Sequence, residues 1–122
     1  MTVRLVFCVR RLDTLDRSAF LDHWLNVHGP LVRDRAKALH IRRYEQAHPL
    51  ETRSGDVLAA VRGAPDPFDG IASLWFDSLE DMQAAGSTPA GRQAARDLLA
   101  DERRFIDLPR SPLWFVEDHQ VV

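Results

Sequence analysis

A single cysteine, Cys8, stands among 122 residues, so no disulfide can form within the chain, and a reducing compartment suits it. No apolar run approaches the ~20 residues of a membrane-spanning helix. The N-terminal residues lack the charged region, long apolar stretch and small-residue cleavage site of a secretory signal. A cytoplasmic location is therefore the expectation. Neither sign of charge dominates: a formal net charge of −2 gives no reason to expect nucleic acid or an anionic membrane as partner. Cysteine pairs, a glycine-rich phosphate loop and a nucleophile elbow are missing. His23 and His28 are wrongly spaced to stack on one helix face as a zinc pair. No metal is expected, and nothing specifies a nicotinamide or flavin cofactor. Internal repeats, low-complexity segments and linkers are lacking too. With 45% hydrophobic and 28% charged residues, positions 1–122 read as one globular domain, small enough to favour dimerisation.

What is there begins with Phe20-Leu21-Asp22-His23-Trp24-Leu25-Asn26-Val27-His28-Gly29-Pro30. At helical period Phe20, Leu21, Trp24, Leu25 and Val27 share a broad apolar face, with Asp22 and Asn26 opposite. His28 falls inside that arc and His23 at its edge. Pro30 disfavours helical geometry at Gly29, so the helix is expected to end at His28 and a new one to start at Pro30. A polar ring at an apolar helix end either has a buried partner or lines a pocket.

Around this segment the chain punctuates itself. Val3 to Arg10 reads as a strand apolar on both faces at its centre, with Val3, Leu5, Phe7 and Val9 on one side and Val6 and Cys8 on the other. Asp16 or Ser18 caps the first helix, which continues to about Leu39. Ile41 to His48 is a second strand in which Tyr44, Gln46 and His48 face alike. Pro49 to Asp69 is irregular, with Val57 to Val61 read as a loop, a lid or an edge strand. Gly70 to Phe76 is a third strand, and Ser78 caps a short helix through Ala85. A longer helix runs from Pro89 to about Arg104, burying Ala94, Ala95, Leu98 and Leu99, and Leu113 to His119 is the last strand. The order β-α-β-β-α-β is the ferredoxin-like α+β arrangement: an antiparallel sheet with helices on one face. The aromatic residues left for the other face favour a second copy there, hence a homodimer. The arginines at 33, 35, 42 and 43 read as a solvated surface rather than an anion site.

Phe20-x-x-x-Trp24-x-x-x-His28-Gly29-Pro30-Leu31 resembles the signature of the EthD-like proteins, members of the dimeric α+β barrel superfamily. Arg43 to Gln46, Phe68 to Ala72, Leu74 to Ser78, Glu102 to Ile106, Ser111-Pro112 and Val116-Glu117 continue the likeness in order. The resemblance implies a dimeric barrel. It also implies a chemically mixed set of activities, some of them proposed cofactor-free steps on polyketide-like compounds.

His28 is the first candidate for catalysis. At a helix C-terminus the dipole would favour its protonated form and apolar neighbours its neutral form, a balance suited to acid–base work. The alternative is a ring that hydrogen-bonds a carbonyl and locks the Gly-Pro turn. Tyr44 and His48 come next, expected on the open side of the sheet, where Tyr44 would orient a carbonyl and His48 carry a second proton; otherwise His48 lies in water at the strand end. Asp69 either orients His28 or bonds its own turn. Phe7, Trp24, Trp75 and Trp114 form either an aromatic pocket wall or plain core. Cys8 reads as a small core hydrophobe.

Three functions stay open. One is a cofactor-free enzyme that moves a proton through His28 on a small apolar carbonyl compound or lactone, in cyclisation, dehydration or isomerisation. Another, drawn from the resemblance, is a monooxygenase-type protein or an accessory of oxidative degradation. The third is a dimer that binds a small apolar or aromatic ligand without converting it. A haem held by one histidine, as in related barrels, has only weak support.

Overall fold

Strand β1 (Val3–Val9) is apolar on both faces at its centre, which suits the middle of a sheet covered on both sides. In the computed structural model, which describes residues 2–122, β1 is central: it pairs antiparallel with β3 (Gly70–Phe76) from Val3↔Phe76 to Val9↔Gly70. Its other edge holds β4 (Leu113–Val116), in register Leu5↔Phe115. Strand β2 (Arg43–Ala47) adds to the far side of β3, in register Tyr44↔Leu74. The order β2-β3-β1-β4, all antiparallel, is that of a ferredoxin-like α+β sheet. Strand β4 stops at Val116, short of the expected His119, because its partner β1 begins at Val3; past that point Arg4 grips Asp118 through two hydrogen bonds.

The helices begin where the capping residues dictate. Asp16 accepts from the Ala19 N–H to open α1 (Arg17–His23), and Thr52 accepts from Gly55 to open α3 (Arg53–Val61). Ser78 does the same for α4 (Leu79–Ala85), and Thr88 for α5 (Pro89–Glu102). Each such cap satisfies one orphan N–H and is worth about 1 kcal/mol. Residues Val57 to Val61, expected as a loop, lid or edge strand, instead form the second half of α3. Leucine and alanine favour helix there once Thr52 has started it, although no residue of α3 is buried.

The first helix does not end at His28. Residues Trp24–His28 form a single π turn, and α2 (Gly29–Arg35) follows without a break. The Gly29 N–H donates to the Trp24 carbonyl, five residues back. This wider turn accommodates Pro30, which has no N–H to offer and whose ring would crowd the carbonyl of an α-helical turn. Gly29 can stay helical before proline because it has no Cβ for the proline ring to strike. The helix then stops at Arg35, earlier than expected, and turns through His40 (φ 60°), with the Ile41 N–H donating to Ala36.

The π turn also redraws the buried stripe. Phe20, Trp24, His28 and Val32 are buried, while Leu25 and Val27 are about half exposed. On α5, Ala94 and Leu98 are buried as expected, but Ala95 and Leu99 are exposed. Phe20, Trp24, Phe105, Val9 and Val32 are the largest fully enclosed side chains. Trp24 lies so close to the start of β3 that a Cβ on residue 70 would sit 2.3 Å from its ring. No helix among the described residues is long and apolar enough to cross a membrane. Gly70→Ala is expected to destabilise the fold by about 1–3 kcal/mol through overpacking, read as a lowered midpoint in chemical denaturation; an unchanged midpoint would mean that the Trp24 ring moves aside freely.

Candidate active site

Leu5, Phe7, Val9, Tyr44, Ala72 and Leu74 point from the sheet toward the helices, and a cavity of about 310 Å³ lies between the two layers. That volume is at the lower end of small-molecule sites. Trp24, His28 and Val32 close it from the first long helix, Gly91, Ala95, Leu98 and Glu102 from α5. Those α5 positions recur at helical spacing, a stripe that is small or apolar until it ends in a carboxyl group. The cavity therefore lies inside the chain's own two layers, not between the sheet and a partner as the alternation of β2 had suggested. Tyr44 and Gln46 do face alike, but toward the helices, because Tyr44 pairs with Leu74 on that face.

His28 is buried at 5% exposure. Its Nδ1 donates to Asp101 Oδ2 at 2.8 Å, and His23 Nε2 reaches the same carboxylate at 3.1 Å. Five residues apart, the two rings would diverge on an α-helix; the π turn brings both onto Asp101. Phe105 packs against both rings, with centroids 4.6 Å from His23 and 5.1 Å from His28. Since a carboxylate only accepts, the proton of neutral His28 is on Nδ1, and Nε2 keeps a lone pair with no hydrogen-bond partner among the described residues. Burial holds the His28 pKa below the ordinary imidazole value and outweighs the opposing pull of Asp101. The helix-terminus field expected at His28 does not apply, because the helix continues past it.

A second polar chain has its direction fixed by one backbone atom. Gln46 Nε2 lies 2.7 Å from the Trp24 carbonyl and 2.9 Å from the Tyr44 hydroxyl. The carbonyl only accepts, so that end of Gln46 is its NH2 group, and its Oε1 must accept from His48 Nε2 at 2.8 Å. Tyr44 thus accepts from Gln46 and retains its own O–H to donate. Its pKa is pushed up to about 12, chiefly by burial, so the phenol stays protonated at neutral pH. His48 stacks on Trp24, ring centroids 4.8 Å apart and planes 6° from parallel, and burial lowers its pKa. It meets the site through Gln46 rather than directly.

Asp69 does not meet His28. It accepts from the Arg11 N–H at 2.9 Å and lies near the Arg11 and Arg17 guanidinium groups, tying the exit of β1 to the entry of β3. Phe7 and Trp24 line the cavity, but Trp75 and Trp114 alternate onto the opposite sheet face. There Trp75 lies between the Arg4 and Arg43 guanidinium groups. The residues that sequence reasoning passed over are Asp101 and Glu102. Glu102 lines the cavity, and burial together with neighbouring Asp101 raises its pKa to about 7. The signal available was the acidic end of the α5 stripe.

A family model for the EthD domain matches residues 12–109. The chain belongs to the EthD family. A protein of Claviceps purpurea (strain 20.1) named "Decarboxylase" is 26% identical over 114 residues, spanning 88% of this chain and 76% of that one. An EthD family protein of Bacillus halodurans C-125 has a crystal structure that superposes with a TM-score of 0.63 at 21% identity, covering 98% of this chain and all of that one. A protein of Thermobifida fusca YX, described as dimeric and ferredoxin-like, superposes with a TM-score of 0.58 at 14% identity, covering 95% and 90% of the two chains. In this EthD protein the Trp-x-x-x-His part of the run is the π turn, and Gly29-Pro30 opens α2.

Glu102 carries a stability consequence. Its folded pKa of about 7 lies above the ordinary glutamate value of 4.5, so the native state binds more protons than the unfolded chain between those values. Its favourable contribution is therefore complete below pH 4.5 and is lost as pH rises through 7. Relative to Glu102→Gln, the wild type should lose up to about 3 kcal/mol across that window, measured by urea denaturation at several pH values. Parallel curves for the two proteins would mean that the carboxyl is not held in an apolar setting.

Proposed function

We propose that this EthD protein is a cofactor-free enzyme that moves a proton on a neutral, apolar carbonyl compound. The observation that carries the reading is the pairing, across one apolar cavity, of an oriented base with an oriented donor. His28 Nε2 has its lone pair free because Asp101 fixes the proton on Nδ1. Tyr44 has its O–H free because Gln46 fills its acceptor side. A ketone seated between them would lose a proton from the carbon beside the carbonyl to Nε2, while its oxygen, gaining charge, accepts from Tyr44. The resulting enolate is the common intermediate of cyclisation, dehydration and isomerisation. None of the described cavity-lining residues is lysine or arginine, which supports a neutral substrate over a phosphate or thioester carrier. The apolar walls exclude water and strengthen both contacts.

Loss of carbon dioxide from a β-keto acid is the second reading, supported by the name of the Claviceps relative. The carbon–carbon bond breaks, its electron pair gives the same enolate at Tyr44, and a proton returns to carbon. The other sheet face supports a homodimer: Trp114 and Ile71 are 49% and 40% exposed there, beside Val6 and Cys8, and the Thermobifida fusca protein of the same fold is described as dimeric.

The test uses nonane-2,4-dione, a neutral β-diketone, with exchange of its central C–H for solvent deuterium followed by proton NMR. His28→Gln should slow enzyme-dependent exchange by about a hundredfold or more, and Tyr44→Phe by about tenfold. Exchange at the wild-type rate in His28→Gln would sink the reading. For the assembly, Trp114→Glu should convert a dimer to a monomer in light scattering, and an unchanged mass would place the interface elsewhere.

A further inference from the structure

Three features lie outside the roles assigned so far: the exposed helix α3, the Asp81–His40 contact at the far end of the sheet, and Glu102. Only Glu102 opens onto a cavity that already holds reactive groups. It is adjacent to Asp101 on the last turn of α5, yet the two side chains do opposite things. Asp101 is spent on His23 and His28, with Arg104 Nη1 3.7 Å away. Glu102 takes the next direction round the helix, continues the Gly91, Ala95, Leu98 stripe and lines the cavity, and its side chain makes no hydrogen bond among the described residues. The groups that act on it are Asp101 and Arg103 from its own helix. From β2, the Tyr44 phenol feels its charge. His28, from the π turn, lines the same cavity.

We infer that Glu102 is a second catalytic residue, the acid that hands a proton to the enolate formed by His28. The inference rests on the proton-transfer reading above and adds to it the group that completes the reaction. Proton removal by His28 leaves an imidazolium and an enolate; a net tautomerisation needs a proton returned at a different atom. The C–H pair becomes the C=C bond, the carbonyl pair moves to oxygen, and oxygen takes the proton of the Glu102 carboxyl, directly or through the Tyr44 hydroxyl. The imidazolium proton then returns to the Glu102 carboxylate and the site is reset, with no electron gained or lost. The active form is neutral His28 with protonated Glu102. A carboxyl that titrates at about 7 keeps that form populated near neutrality, whereas an ordinary glutamate would be ionised.

Two rates measured on nonane-2,4-dione separate the roles. Deuterium exchange at the central carbon needs only His28 and Tyr44; conversion between keto and enol forms, followed by the enol's ultraviolet band, also needs the acid. Glu102→Gln should lose interconversion by about tenfold or more, a larger loss than it causes in exchange. Its rate should also lose the alkaline limb that the wild type shows as pH rises through 7. Glu102→Asp, which keeps the carboxyl, should recover part of the rate and retain that limb. If Glu102→Gln matches the wild type in both rate and pH profile, the inference falls while the His28 reading stands. If His28→Gln exchanges at the wild-type rate, both fall. Protein carrying 13C-labelled glutamate gives a readout independent of turnover and of how the variants fold. The diketone should shift the Glu102 side-chain carbon together with the Tyr44 ring, and a shift of Tyr44 alone would overturn the inference.

Discussion

The carbonyl of Trp24 accepts from two directions at once, from the Gly29 N–H within the helix and from the Gln46 amide across the sheet. Both bonds depend on the π turn, which tips this carbonyl out of the ordinary helical ladder. From the first bond follows the uninterrupted helix that carries His28 inward, and with it the meeting of His23 and His28 on Asp101. From the second follows the orientation of Gln46, and therefore of the Tyr44 hydroxyl. One backbone atom thus sets the proton positions on one side of the cavity and the path of the helix on the other.

Burial then separates groups of similar chemistry. Asp101 and Glu102 are sequence neighbours, but the first meets two imidazoles and the second meets apolar walls. The first fixes the proton of His28 on Nδ1; the second has its pKa raised to about 7. His28 is likewise held neutral by burial although it touches a carboxylate. The same low polarity that makes these groups costly to charge strengthens the hydrogen bonds they make. That cost is a stability liability of the kind often found where chemistry is done.

The two sheet faces divide the labour of the aromatic residues. Phe7 and Trp24 wall the cavity, and Trp24 presses on the backbone of Gly70 and stacks on His48. Trp75 and Trp114, each one residue out of phase with the cavity-facing Leu74 and Leu113, cannot reach that space. They lie instead on the face turned away from the helices. A period of two along each strand makes this division unavoidable once β1 is central, since every side chain must go to one face or the other.

Local rules were enough to read the four strands, the βαββαβ order and the caps at Asp16 and Ser78, because each depends on neighbours a few positions apart; Thr52, which opens α3 between β2 and β3, and Thr88 were passed over. The Phe-x-x-x-Trp-x-x-x-His-Gly-Pro run likewise marked the family and His28. The course of the helix beyond His28 was not legible: Pro30 argues locally for a break, and only packing of Trp24 and Val32 against the sheet makes a π turn the better answer. Nor was the face on which Tyr44 lies, since alternation groups residues without saying which group meets the helices. Asp101, 73 positions from His28, became its partner through the docking of α5 on the π turn. Sequence alone determined the four strands, their order, and His28 and Tyr44 as candidate proton-bearing groups. The tertiary structure decided which of them share a cavity and in which protonation state, because burial and partner geometry arise only when distant segments pack.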